Sequence, residues 1–295
     1  MTSTRTRPMA NRLGRGILAA AAASVLLAGP AAAQNDGNIS MSAGADIVNK
    51  YYFRGIVQET GGFIMQPFLD ASISFGAASI TAGTWSSLHS EGGAGFAGAP
   101  ESFYETDFYA GIGGAAGPVG LDVTYTAYMS PRGSWGTTKE VAFGLSIDNP
   151  VAPYATFAFE TAGGADGFDK GAYFELGVEP SAPLEDAPVS LSFPVTLGLS
   201  LNDYYQYMGL AEGHTEDDGH DHDHPGHLEL MPGGTFGFFS IGASLGIPLN
   251  VASEYGEWGL ALGVNMLRLG EGAKAIDGGD SSTKVIALFG LSVGY

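Results

Sequence analysis

The sequence predicts an all-β chain folded as a transmembrane antiparallel β-barrel of about 12 strands, of the outer-membrane type. Three observations carry that expectation. From Val285 to Tyr295 every odd position (Val285, Ala287, Phe289, Leu291, Val293, Tyr295) is apolar, while Gly290, Ser292 and Gly294 between them are small or polar, and the chain ends on an aromatic. Such a strand has one face for hydrocarbon and one for a crowded interior or water. The same period of two recurs along the chain, and the connections sort by length. After the N-terminal region no run of about 18 apolar residues occurs, so only a closed barrel could cross a membrane.

Taken in order, Arg5, Arg7, Arg12 and Arg15 precede an apolar run from Gly16 to Gly29 and then Ala31, Ala32 and Ala33. That is the pattern of a secretory signal peptide over 1–33, cleaved before Gln34, and it leaves 34–295 as a single barrel domain. There is no cysteine, which excludes lipid attachment at a mature N-terminal Cys, disulfides and thiol chemistry. Alternation then marks twelve segments, near 39–54, 66–75, 78–87, 103–113, 121–130, 140–148, 153–160, 171–179, 189–202, 236–247, 258–268 and 284–295. The clearest are Leu121, Val123, Tyr125, Ala127 and Met129 against polar partners, and the odd residues from Val189 to Leu201. Half-buried antiparallel strands alternate in this way. Pro194 cannot donate to a ladder, so a bulge or kink is expected there.

Connections after odd-numbered strands are long: QETGG, HSEGGAGFAGAPES, PRGSWGTTK, TAGGADGFD, the stretch from Asp203 to His227, and GEGAKAIDGGDSST. Those after even-numbered strands are mostly short, GA at 76–77, AAGPVG, NPVA and SAPLEDAP, with LNVASEYGE the exception. Long loops outside the cell and tight periplasmic turns are the transmembrane-barrel arrangement, and an even strand count puts both termini on the turn side.

Removing the four signal-peptide arginines leaves 8 basic against 31 acidic residues, a net charge of −23. A polyanion of that size repels nucleic acid and attracts cations. Charged residues nonetheless make up only 15% of the chain and Gly is 46 of 295, which suits a lipid-bathed barrel and not a soluble surface. With the apolar face outward, Asp46, Asp70, Glu105, Asp107, Asp122, Glu140, Glu160, Glu175 and Glu179 face the lumen, against Lys50, Arg54 and Lys170. An acid-rich wall favours cations over anions in a narrow water-filled channel. In a packed interior the same acids pair with the bases and with Tyr52, Tyr109, Tyr128, Tyr154 and Tyr173. Twelve strands lie between the filled and the open barrel sizes, so strand number does not choose.

The stretch from Lys50 to Ser90 carries a Y-x-F-R-G-x-x-Q element (Tyr51, Phe53, Arg54, Gly55, Gln58), then Gln66 and Pro67, then a G-x-W-x-S strand (Gly83, Trp85, Ser87). It resembles the N-terminal hairpin and third strand of the TorF porin family. The resemblance implies an outer-membrane location and a porin activity. Arg54, near the outer rim of the first strand, is expected to brace the wall against its carboxylates or to narrow the entrance, with bracing favoured because a lone arginine among many carboxylates is usually paired.

Five of six histidines fall in the His/Asp-rich loop 213–227: His214, His220, His222, His224 and His227, interleaved with Asp221 and Asp223. Imidazole and carboxylate together suit Zn, Ni or Cu, while the spacing is that of a fluctuating chelator and not of a rigid site. No cofactor is required by anything else in the chain. The sixth histidine, His89, lies beside Ser87 and Ser90, but adjacency alone supplies neither facing geometry nor an orienting third group, so no enzyme activity is expected. The sequence thus points to a porin-like channel for passive diffusion of small cationic or neutral solutes. The alternative is a non-conducting surface protein whose loop captures divalent metal or mediates adhesion. Its partners are outer-membrane lipids, the barrel-assembly machinery during insertion and small solutes, with no nucleic acid. It acts as a monomer or a homo-oligomer.

Overall fold

The computed structural model describes residues 38–91, 102–163, 170–183, 189–210, 228–279 and 281–295. Twelve antiparallel strands close into a barrel: β1 (Ile39–Val48), β2 (Ile64–Phe75), β3 (Ala78–His89), β4 (Glu105–Ala116), β5 (Val119–Met129), β6 (Thr138–Ile147), β7 (Tyr154–Ala162), β8 (Ala172–Val178, resuming at Ser181–Pro183), β9 (Ser190–Ser192 and Val195–Asn202), β10 (Phe236–Pro248), β11 (Glu257–Leu269) and β12 (Thr283–Gly294). Each strand pairs with the next in sequence. The last pairs with the first, Ala45 opposite Leu291, and reciprocal bonds between Met41 and Tyr295 (3.0 and 2.9 Å) finish the seam. Closure leaves the strands no open edge, which a bilayer requires because hydrocarbon offers peptide groups no partners.

The alternation read from the sequence is the in–out alternation of the wall. Leu121 (61% exposed), Phe108 (52%) and Val285 (51%) point outward, as do Ile73, Ile112 and Phe143. A continuous apolar exterior of this kind is stable only against lipid. Tight turns such as Gly76–Ala77 and Gly117–Pro118 lie at the end that holds both strand termini, and the long connections lie at the other. Among the described residues no helix is long and apolar enough to span a membrane.

Two local expectations change. Ser192 faces Ser244 and Val195 faces Ile241, so the register runs unshifted across Pro194, whose carbonyl still accepts from Gly242 N at 2.9 Å. Pro194 thus interrupts the ladder without a bulge, and the shift in β9 comes at Gly198/Leu199. The first segment is also not one strand over 39–54. β1 stops at Val48, and the chain turns into the lumen as a short hairpin, Tyr51–Phe53 with Ile56–Glu59. A second short hairpin pairs Tyr207–Leu210 with Leu228–Met231, and between β11 and β12 a helix, α1 (Glu271–Asp277), also packs inward with Ala273 fully buried. The loop half of the barrel is therefore filled by chain from its own loops.

Candidate functional site

The inner hairpin is built around a two-residue turn, Arg54–Gly55, with both φ angles positive (50° and 84°). This is the sense of turn that matches the twist of paired strands, and glycine takes its half without a Cβ penalty. The turn carries the Arg54 side chain across the lumen to β6. There Nη1 donates to Glu140 Oε2 at 2.6 Å and Nη2 to Glu140 Oε1 at 2.8 Å. Nη1 also donates to the Tyr204 hydroxyl (3.0 Å), and Tyr128 donates to Glu140 Oε1 (3.1 Å). The guanidinium carbon lies 4.3 Å from the Tyr173 ring centroid, 4.8 Å from that of Phe53 and 5.6 Å from that of Tyr204. A forked, charge-assisted pair enclosed by aromatic faces is strong and directional because water is excluded. The Arg54 carbonyl is held in turn by the Tyr205 hydroxyl at 2.9 Å. Arg54 does brace the structure, but from the hairpin tip inside the lumen and not from the rim of the first strand.

Toward its base the hairpin is tied by tyrosines. Tyr51 donates to Glu105 (2.8 Å), Tyr104 to Gln58 (2.7 Å) and Tyr52 to Asp277 at the end of α1 (2.6 Å). Burial, reinforced by the Asp277 carboxylate, pushes the Tyr52 phenol well above its ordinary range, so it stays a donor. Asp277 also pairs with Lys284. Close approach is permitted where side chains are missing: a Cβ on Gly237 would sit 2.0 Å from the Tyr205 ring.

The structure places the sequence-derived lumen residues at two levels. Asp46, Glu105, Asp107, Glu140 and Glu175 are buried in the filled loop half with Arg54. Tyr173 donates to Glu175 there. Asp70, Asp122 and Glu160 are half-buried on the wall, Asp70 accepting from Tyr109 and, at 3.4 Å, from Ser42, and Glu160 from Gly171 N at 2.8 Å. Lys50 is half-buried between β1 and the hairpin. With Tyr51 at 2% exposure, Glu140 at 2%, Tyr173 at 1% and Tyr205 at 0%, the expected water-filled passage is shut at this level. The metal candidates His214, His220, His222, His224, His227, Asp221 and Asp223 lie outside the described residues, as does the signal-peptide segment. Among the described residues no group of three His, Asp or Glu side chains is placed to hold an ion.

One expectation is corrected, since Ser87 and His89 do face each other. Ser87 and His89, two apart on β3, share a face, so Ser87 Oγ and His89 Nε2 meet at 2.8 Å with Glu59 Oε2 3.7 Å from Nδ1. Ser87 is fully buried and the His–Glu distance exceeds a hydrogen bond, so the row packs the hairpin against the wall. The period-two rule applied to His89 would have found the pair.

The elements quoted for the TorF resemblance converge here. Tyr51, Phe53, Arg54, Gly55 and Gln58 form the hairpin, and Trp85 and Ser87 its seat, with the Tyr51 and Trp85 rings 5.4 Å apart and Gln66 Nε2 3.4 Å from Ser87 Oγ.

A family profile described as "Bacterial protein of unknown function (Gcw_chp)" matches residues 32–210, and no curated protein matches. That profile carries no porin assignment, so the TorF resemblance rests on its motif residues alone. Among solved structures the chain is similar to the translocator domain of autotransporter NalP from Neisseria meningitidis (13% identity, 89% of each chain, TM-score 0.41). It is also similar to a porin (10%, covering 87% of this chain and 99% of that one, 0.33) and to Salmonella typhi OmpF in complex with daunomycin (9%, 88% and 99%, 0.34). At such scores these likenesses carry no argument about activity, and the strand pairing given above is what establishes the barrel.

Proposed function

The chain belongs to the Gcw_chp family of bacterial proteins of unknown function, and we propose that it is a porin-like outer-membrane channel for small cationic or neutral solutes, closed at rest by its inner hairpin. The observation that carries the reading is the charge of the lumen. Asp46, Asp70, Glu105, Asp107, Asp122, Glu140, Glu160 and Glu175 face inward from seven different strands, β1, β2 and β4 to β8, while the Arg54 guanidinium of the plug pairs with Glu140 and Lys284 of β12 with Asp277 of α1. A wall of that sign repels anions once water enters. The TorF resemblance supports the same activity.

Liposome swelling tests the reading. Vesicles holding the purified barrel should swell in small neutral and cationic solutes and resist anionic ones of equal size. Equal permeation by anions would contradict the acid-lined path. For the loop 213–227 the reading adds chelation of Zn, Ni or Cu by His214, His220, His222, His224 and His227 with Asp221 and Asp223. The untagged barrel should be retained on immobilised nickel, and replacing all five histidines with alanine should abolish retention.

A further inference from the structure

The hairpin is held at its tip in a way that implies a ligand. The walls around Arg54 present one carboxylate aimed edge-on, two phenol hydroxyls and two ring faces contributed by Glu140 of β6, Tyr128 of β5, Tyr173 of β8 and Tyr204 after β9, with Phe53 closing the side toward the hairpin. All of these except Phe53 come from elements other than the hairpin, so the enclosure is built independently of the residue that fills it. Its geometry is selective. Two parallel N–H groups match the two oxygens of Glu140, and a flat delocalised cation lies against the rings, whereas an ammonium offers neither fork nor plane.

We propose that this enclosure is a guanidinium-binding site whose resident occupant is Arg54, and that small solutes bearing a guanidinium compete for it and release the hairpin. The release half rests on the channel reading above; the binding half does not. The hairpin has strands of only three and four residues, and a lone two-stranded ribbon of that size is marginally stable, so its place in the lumen depends on what it grips. At the tip that grip is the Glu140 pair together with the Tyr205 bond to the Arg54 carbonyl. A tethered arginine acts as if present at about millimolar concentration or above, so a free competitor has to be supplied in that range.

The test uses methylguanidinium as probe and methylammonium as control at equal ionic strength. In Arg54→Ala, which empties the enclosure, methylguanidinium at about 10 mM is expected to raise the thermal unfolding midpoint while methylammonium does not, and adding Glu140→Gln is expected to remove the effect. In wild type, which needs no variant to fold, methylguanidinium is expected to raise the open fraction in bilayer recordings several-fold over methylammonium, and Glu140→Gln to abolish that difference. Folded Arg54→Ala that gains nothing specific to the guanidinium overturns the site. Binding in Arg54→Ala, with channels that conduct but a wild type whose open fraction methylguanidinium does not raise, overturns the release. Barrels silent in every variant overturn the channel reading alone, with the site still judged by the unfolding midpoint.

Discussion

Arg54 is buried with its counter-charge, and the cost of separating the two falls on whichever part of the molecule can yield. Removing one partner of a buried pair typically costs about 3–5 kcal/mol because the other charge is stranded. In Glu140→Gln the stranded guanidinium has an escape that a core arginine lacks, since the hairpin can withdraw into water. The expected outcome is therefore local: amide exchange in residues 51–59 accelerates roughly 100-fold or more, as about 3 kcal/mol implies, while β6 and its neighbours keep their protection. Uniform loss of protection across the barrel would instead make the pair a global staple. The sequence carried half of this. It marked Arg54 as a brace among carboxylates, but not its place, because the alternation of β1 was read through Asn49 and Lys50. The signal that could have corrected it is the Arg–Gly pair flanked by YYF and IVQ, two short apolar runs around a two-residue turn.

At the scale of elements, the barrel strands were legible and the plug was not, for one physical reason. A wall strand meets lipid on one face and the lumen on the other, so its sequence alternates. The inner hairpin and α1 are surrounded by protein on most sides, so Tyr51, Tyr52 and Val57 read as a mere apolar cluster and Ala273 as part of a loop. Loop parity was legible because tight turns need so few residues. The unshifted register at Pro194 was not, since a missing donor need not shift strands that the pairs on either side already hold. The seating of the plug gives an element-level prediction. Gly237→Leu would place side-chain atoms where the Tyr205 ring lies, 2.0 Å from the new Cβ. Expulsion of Tyr205 breaks its bond to the Arg54 carbonyl. The variant should still fold as a barrel, and limited proteolysis should cut within residues 51–59 faster than in wild type. An unchanged cleavage rate would show that Tyr205 does not hold the hairpin.

For the whole molecule, the closed ring of twelve strands supplies a lipid-facing exterior, and in the proposed channel the acids set the sign of what passes within. The half-buried Asp70 and Asp122 lie outside the plug, so in the proposed channel they stay in the path once the hairpin is released. Asp70→Asn with Asp122→Asn should lower cation preference without raising the frequency of opening, separating selectivity from gating. The most direct measurement of the account is single-channel recording in a planar bilayer under a KCl gradient, with wild type and Arg54→Ala side by side. The account predicts discrete steps whose reversal potential lies toward that of K⁺ in both, rare in wild type and frequent once the latch is removed. Folded barrels that stay silent in both proteins, or steps reversing toward Cl⁻, would contradict it.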